Sequence, residues 1–119
     1  MIQQMVRDFA EKEIRPKMME WDEAQIFPVE LFKKLGNLGL MGVLVPEEYG
    51  GSGLGYFEYI TIVSEIAQVC GSIGLSVAAH NSLCTGHILY HGSEEQKQKY
   101  IREIVNGEIW WCQGYSEPG

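Results

Sequence analysis

Residues 72–90 contain no Asp, Glu, Lys or Arg. A helix on the surface of a bundle keeps one charged face, whereas a helix without charges on any side is normally surrounded by other elements. The stretch therefore predicts a buried central helix from about Ser72 to Tyr90, broken from its neighbours by Gly71 and Gly92. A central helix with others packed around it is the arrangement of a helical bundle.

Two helices are predicted in the first forty residues of the chain. Apolar residues recur with helical spacing over residues 2–20, and Pro16 should kink or end that helix. Pro28 opens the next helix, because a proline at the first position loses no hydrogen bond there. Gly36 and Gly39 are predicted to mark its end.

Two more helices complete the bundle, one immediately before the central helix in the sequence and one immediately after it. The first runs from about Tyr56 to Cys70. The second starts at Ser93, which forms a capping box with Gln96, and ends at Asn106-Gly107. Between helices, residues 40–45 are short and apolar and predicted to be extended, and residues 46–53 form a loop. The predicted fold class is all-α, a bundle of about five helices.

The C-terminal residues change from a helical to a strand pattern. Residues 109–116 predict a strand that is apolar on both faces. Such a strand is normally buried by other elements on both sides. An aromatic ring, a hydroxyl and backbone groups on this stiff segment suit a flat polar ring such as a flavin. We expect residues 1–108 to form the helical domain and residues 109–119 to be the first strand of a β domain that is absent.

Composition narrows the class of partner. The chain has 119 residues and a net charge of −7, so it lacks the basic surface that binds nucleic acid or anionic membrane. No segment approaches the roughly 20 apolar residues of a membrane span, and the N-terminus has no signal peptide pattern. Three widely spaced cysteines indicate a reducing, intracellular setting, without a disulfide framework.

Four potential metal ligands share one face of the central helix: His80, Cys84, His87 and His91. They span about three turns, and one helix cannot wrap them around a single tetrahedral ion. At most a neighbouring pair such as His87 and His91 could chelate. We therefore predict no metal site, and we interpret these residues as packing and helix-end side chains.

A stripe of small residues follows the same helix, at the positions Ser72, Ser76, Ala79, Ser82 and Gly86. Such a stripe allows another helix to approach closely. The missing side chains can also leave a slot for an apolar ligand tail, which is the less common of the two arrangements. The residues alone leave both interpretations open. No paired carboxylates, catalytic triad or phosphate-binding loop is supported by the spacing.

Taken together, several segments resemble the N-terminal helical domain of the acyl-CoA dehydrogenase family, over essentially the whole chain. Their order and spacing make the resemblance specific. The matching stretches are Val6-Arg7-Asp8-Phe9-Ala10 with Ile14-Arg15-Pro16, Leu38-Gly39-Leu40-Met41-Gly42 with Pro46-Glu47-Glu48-Tyr49-Gly50-Gly51, Ser64-Glu65-Ile66-Ala67, Ala79-His80-Asn81-Ser82-Leu83, Gly92-Ser93-Glu94-Glu95-Gln96-Lys97-Gln98-Lys99-Tyr100 and Ser116-Glu117-Pro118-Gly119.

The resemblance implies a β domain and a second helical domain after this one, with FAD held between them. It implies oxidation of an acyl-CoA thioester to the trans-2-enoyl-CoA, with electrons leaving through an electron-transfer flavoprotein. A homotetramer is common in the family. The implied location is cytoplasmic in bacteria and the mitochondrial matrix in eukaryotes. The catalytic glutamate of the family lies beyond Gly119, so the 119 residues alone are expected to be inactive.

Carried over position by position, the resemblance also implies site residues. Gln113, Gly114, Tyr115 and Ser116 match the family's first flavin-contacting strand. Ser76, Ala79 and Leu83 match positions that line the far end of the acyl pocket, which favours the slot interpretation of the small-residue stripe.

One departure leaves the substrate open. Many family members that act on simple fatty acyl groups have Thr where this chain has Ser116, and residues 113–116 are more similar to members acting on diverse or bulky acyl groups. Residues 79–83 are more similar to short- and medium-chain members. Two alternatives stand beside the dehydrogenase: a non-catalytic helical interaction module, and an oxidase-type flavoenzyme that passes electrons to oxygen.

Overall fold

The computed structural model of this protein describes residues 1–110 together with Gly114, Ser116, Pro118 and Gly119. Within these residues it consists of helices, turns and loops, and the all-α prediction is confirmed. The α-helices are α1 (Ile2–Phe9), α2 (Met18–Glu23), α3 (Val29–Asn37), α4 (Tyr56–Val69), α5 (Gly71–Ala78), α6 (Thr85–His91) and α7 (Glu94–Val105). Two π-helical segments extend α1 and join α5 to α6, at Ala10–Ile14 and Ala79–Cys84.

The main core lies between α1, α3, α4 and α5. The last three of these helices each contribute buried residues three or four apart, which is the spacing of one helical face. The largest fully buried side chains include Ile14, Phe32, Leu35, Met41, Ile62 and Ile66. A smaller cluster of Val45, Tyr49, Ile101 and Val105 holds α7 against the loop before α4.

Pro16 interrupts the first helix, as predicted. The chain makes a turn over residues 15–17, and α2 then continues to Glu23, beyond the predicted end at residue 20. The helix before the proline is locally widened, since the N–H of Arg15 donates to the carbonyl of Ala10, five residues earlier (3.0 Å). Periodicity alone did not predict this π turn.

Gly36 and Gly39 were both predicted to mark the end of α3, but in the structure they have different roles. Gly39 follows the end of α3 and has φ of +75°, a conformation that glycine adopts without strain. Gly36 lies inside α3, and a Cβ there would be 2.2 Å from the carbonyl oxygen of Asn106. Its small size therefore lets the residues after α7 approach α3.

Residues 40–45 form successive buried turns, so the prediction that they are extended is wrong. The following loop folds back on them: the N–H groups of Ser52 and Leu54 donate to the carbonyls of Gly42 and Val43, each at 2.9 Å. These bonds satisfy the buried backbone without a sheet. Glu47–Tyr49 forms a single 3₁₀ turn within the predicted loop.

The last helix begins as its sequence predicts. The Ser93 hydroxyl accepts from the N–H of Gln96 (3.2 Å), and the Gln96 side chain accepts from the N–H of Ser93 (2.8 Å). This capping box satisfies two backbone donors at the start of α7.

No strand is present in the parts of residues 109–119 that the structure describes. A strand is defined by its ladder to a neighbour, and the described region offers no neighbouring strand. The strand over residues 109–116 stays a prediction. None of the helices formed by the described residues is long and apolar enough to cross a membrane.

Candidate functional site

The central helix is formed by α5, the second π segment and α6, and it is open along one side. Leu75 is 70% exposed and Leu83 is 38% exposed, and Ser76 and Ala79 between them are partly exposed. The opposite side is buried, at Ile73, Gly74, Val77, His80, Asn81 and Thr85. The prediction of burial on all sides is therefore wrong for this face, because the described residues supply no element to cover it.

The three predicted pocket residues lie on this open side. Ser76 is on α5, and Ala79 and Leu83 are in the π segment that follows it. We call Leu75, Ser76, Ala79 and Leu83 the open face. Leu75 was not predicted as a site residue. In the sequence, Leu75 stands out as a large apolar residue beside a stripe of small ones. Its exposure in the structure separates it from the buried apolar residues of the same helix.

An apolar groove of about 590 Å³ begins beside the open face at Ser76. It runs past the start of α5, and the connection between α2 and α3 forms its other wall. The lining residues include Met18, Trp21, Phe27, Cys70, Ser72 and Ile73. The small side chains at Ser72 and Ser76 lie along its wall, and of the three predicted pocket residues only Ser76 lines it.

Asn81 anchors the π segment to the rest of the domain. This residue is 3% exposed, and its side-chain oxygen accepts from the N–H of Val43 (2.9 Å). Its amide nitrogen donates to the carbonyls of Leu40 (2.9 Å) and Val77 (3.0 Å). A buried amide is stable only when its groups are paired, and here they join the helix to the 40–43 turns.

His80 is buried beside Asn81 and points toward α7. Its Nε2 donates to the carbonyl oxygen of Ile104 (2.9 Å), which can only accept, so Nε2 carries the proton. Nδ1 is buried and has no hydrogen-bond partner. Burial lowers the pKa of His80, and the bond to Ile104 opposes that shift in part. His80 therefore acts as a neutral packing residue.

Two of the other candidate ligands lie on α6, beyond the π segment that contains His80. His87 and His91 are exposed on α6, and their ring centroids are 6.1 Å apart. Across the part of the chain that the structure describes, no three His, Cys, Asp or Glu side chains are grouped so that they could hold a metal ion.

The predicted flavin-contacting residues are only partly described. Gln113 and Tyr115 lie outside the described residues. Gly114 and Ser116 are exposed, and nothing lies within 4 Å of a Cβ added at Gly114. An exposed hydroxyl and an unobstructed backbone fit the edge of a flavin ring, which is recognised through hydrogen bonds to its carbonyl and N–H groups.

Residues 1–108 match the family model described as "Acyl-CoA dehydrogenase, N-terminal domain". The chain belongs to the acyl-CoA dehydrogenase family. The resemblance noted from the sequence is thereby confirmed, and the helical bundle is the N-terminal domain of that family.

Individual relatives agree with this assignment. The chain is 46% identical over 118 residues to the short-chain specific acyl-CoA dehydrogenase of Clostridium acetobutylicum, covering 99% of this chain and 31% of that protein. A solved structure of the electron transferring flavoprotein of Acidaminococcus fermentans matches with a TM-score of 0.87 and 42% identity, over 92% of this chain and 29% of that one. A glutaryl-CoA dehydrogenase from Mycobacterium smegmatis in complex with FADH2 matches with a TM-score of 0.87 and 29% identity, over 92% and 28%.

The chain thus spans about a third of the length of the relatives it matches. The remaining two thirds of those proteins have no counterpart among the 119 residues of this chain.

Proposed function

We propose that this chain acts as the N-terminal domain of an FAD-dependent acyl-CoA dehydrogenase, which oxidises an acyl-CoA thioester to the trans-2-enoyl-CoA. The observation that carries the proposal is the family match over residues 1–108, combined with an open face of small and apolar residues on the central helix. A domain without a binding partner normally buries such apolar side chains, so their exposure on this face indicates an interaction site.

In this proposal the open face is one wall of the acyl pocket. Ser76 and Ala79 are small enough to admit a methylene chain, and Leu83 supplies an apolar surface beside it. Burying the tail against these residues removes apolar area from water, at roughly 25 cal/mol per Å². This domain would therefore contribute substrate affinity and chain-length selectivity.

The flavin would be held in part by Gln113, Gly114, Tyr115 and Ser116 of this chain. Bound FAD would supply the acceptor for the hydride that leaves the β-carbon of the acyl group. The residues of this chain would position the ring through hydrogen bonds from the backbone and the Ser116 hydroxyl. None of its glutamates is proposed as the catalytic base, so the 119 residues alone should lack activity.

The partners follow from the same proposal. The substrate is an acyl-CoA, and the electron acceptor is an electron-transfer flavoprotein, which is supported by the match to the Acidaminococcus electron transferring flavoprotein structure. A homo-oligomer is proposed for the complete enzyme. The complete enzyme would work in the cytoplasm of a bacterium or in the mitochondrial matrix of a eukaryote, as the bacterial and mitochondrial relatives indicate.

A domain exchange tests the proposal. Residues 1–119 replace the corresponding segment of the C. acetobutylicum dehydrogenase, to which they are 46% identical. The exchanged protein is then purified and assayed for bound FAD and for dye reduction with acyl-CoAs of increasing length. We expect retained FAD and acyl-CoA oxidation, with the unmodified host enzyme as the control.

A folded exchanged protein that holds no FAD and oxidises no acyl-CoA would contradict the proposal. Rapid reoxidation of its reduced flavin by oxygen, without transfer to the dye, would favour the oxidase alternative.

A further inference from the structure

We infer that Asn81 is a positioning residue for acyl-chain selectivity, because it holds the π segment that directs Leu83 onto the open face. The inference rests on the proposed function. Asn81 itself is buried and does not lie on the open face, so it would act through Ala79 and Leu83 and would not touch the substrate.

The π geometry changes the direction of the side chains that follow it. The N–H of Thr85 donates to the carbonyl of His80, five residues earlier, where an α-helix would bond four residues back. Each α-helical residue advances about 100° around the axis, so one extra residue in a turn displaces later side chains by up to that angle. Leu83 lies within the π segment, after His80, so loss of the π turn would rotate it relative to Ser76 by part of that angle.

A π turn needs compensation, because its backbone geometry is less favourable than that of an α-helix. Two buried side chains supply it here. Asn81 bonds the carbonyl of Val77, at the end of α5, and simultaneously holds the 40–43 turns at Leu40 and Val43. Thr85 donates from its hydroxyl to the carbonyl of His80. The wide turn is thus fixed from the core side of the helix while its other side faces outward.

The order of these contacts explains how a buried residue could affect a remote ligand. The 40–43 turns are part of the main core, so Asn81 ties the register of the π segment to that core. Ala79 and Leu83 lie two residues before and two after Asn81. Replacing Asn81 would free the π turn to relax to α-helix and would turn Leu83 away from its place on the open face.

The test uses the exchanged enzyme described above. Asn81→Leu is the first variant. Thr85→Val is a milder second variant, which keeps the inference testable if Asn81→Leu does not fold. The readout is the ratio of kcat/KM for octanoyl-CoA to that for butyryl-CoA. We expect the ratio to fall by about tenfold in Asn81→Leu, because the longer chain loses its apolar contact with Leu83 and butyryl-CoA does not reach it; tenfold is the low end of what one methylene contributes in an apolar pocket. Thr85→Val should change it in the same direction.

Ile66→Val in the core of α4 is the matched control, because it lowers stability and leaves the hydrogen bonds of Asn81 and Thr85 in place. A loss of folded enzyme reduces both substrates equally and leaves the ratio unchanged. If Asn81→Leu and Thr85→Val give the control's ratio, the positioning role is overturned while the proposed function stands. If the exchanged enzyme without these substitutions is folded but inactive, the proposed function fails, and this inference fails with it.

Discussion

The guanidinium group of Arg7 donates two hydrogen bonds, each of 2.8 Å, to the carboxylate of Glu65. Glu65 lies on α4 with 4% of its surface exposed, and Arg7 lies on α1. Gln3 adds a third bond to the same carboxylate (2.6 Å). The pair joins the two helices that enclose one side of the core, and its buried acid depends on its partners for stability.

The stability of the domain should therefore fall in acid, partly through Glu65. The bonds from Arg7 and then Gln3 hold the pKa of Glu65 below its ordinary value. A lowered folded-state pKa contributes stability above the unfolded pKa, about 4.3, and that stability is lost as the pH falls through the folded pKa. Glu65→Gln should give a melting temperature that changes less with pH below about 4.3, measured by circular dichroism.

Glu108→Gln removes the same charge at an exposed position and is the control for that experiment. Equal acid sensitivity of Glu65→Gln and Glu108→Gln would show that the Arg7–Glu65 pair does not contribute to the pH dependence.

Two glycines of α5 should respond oppositely to alanine. A Cβ at Gly74 would lie 2.7 Å from the Cβ of Ala67 on α4, whereas nothing lies within 4 Å of a Cβ at Gly71. Gly74→Ala should cost about 1–3 kcal/mol through overpacking. Gly71→Ala should stabilise by about 0.4–1 kcal/mol, because it restricts the unfolded chain. Urea denaturation of both variants measures these changes, and a neutral Gly74→Ala would refute the close approach of α4 and α5.

The phenol of Tyr49 should titrate at unusually high pH. It donates to the carboxylate of Glu94 (2.7 Å), and this bond, followed by burial, raises the pKa of Tyr49 to about 12. A raised folded-state pKa means that its stabilising contribution is complete below the unfolded value, about 10, and is lost as the pH rises through about 12. Ultraviolet titration of the folded protein should show a step near pH 12 that is absent in Tyr49→Phe.

Unchanged titration of Tyr49→Phe would place that high-pH step on another tyrosine. A Glu94→Gln variant provides a second check, since it keeps the phenol but removes the negative charge that opposes its ionisation.

Filling the open face should shorten the acyl chains accepted. Ala79→Met in the exchanged enzyme places a larger side chain between Ser76 and Leu83. We expect kcat/KM for octanoyl-CoA to fall by about tenfold or more, with little change for butyryl-CoA. Lys12→Met, which adds the same side chain at an exposed position of the first helix, should alter neither value. A uniform loss on both substrates in Ala79→Met would argue against a pocket at this face.

Local signals predicted much of the fold. Pro28 and the Ser93–Gln96 capping box act within one turn of the chain, so the starts of α3 and α7 could be read from adjacent residues. The apolar stripe of α4 similarly fixes its position, because burial of one face is recorded in its own periodicity.

The features that sequence did not predict depend on distant partners. The π segment at Ala79–Cys84 is fixed by contacts from Asn81 to turns about forty residues earlier, and no local pattern encodes them. The sequence predicts Gly36 to mark a helix end. Its actual role, close contact with Asn106, exists only after folding. Family resemblance predicts Ser76, Ala79 and Leu83 as pocket residues, whereas the exposure of Leu75 is visible only in the packed structure.

The most direct measurement is an anaerobic titration of the flavin-loaded exchanged protein with acyl-CoAs from butyryl to octanoyl, monitored by the visible absorbance of the oxidised flavin. We predict loss of that absorbance at near-stoichiometric acyl-CoA, as in the host enzyme measured alongside. A folded, flavin-loaded protein whose absorbance does not change, at any acyl chain length from butyryl to octanoyl, would show that this chain does not supply a working dehydrogenase domain.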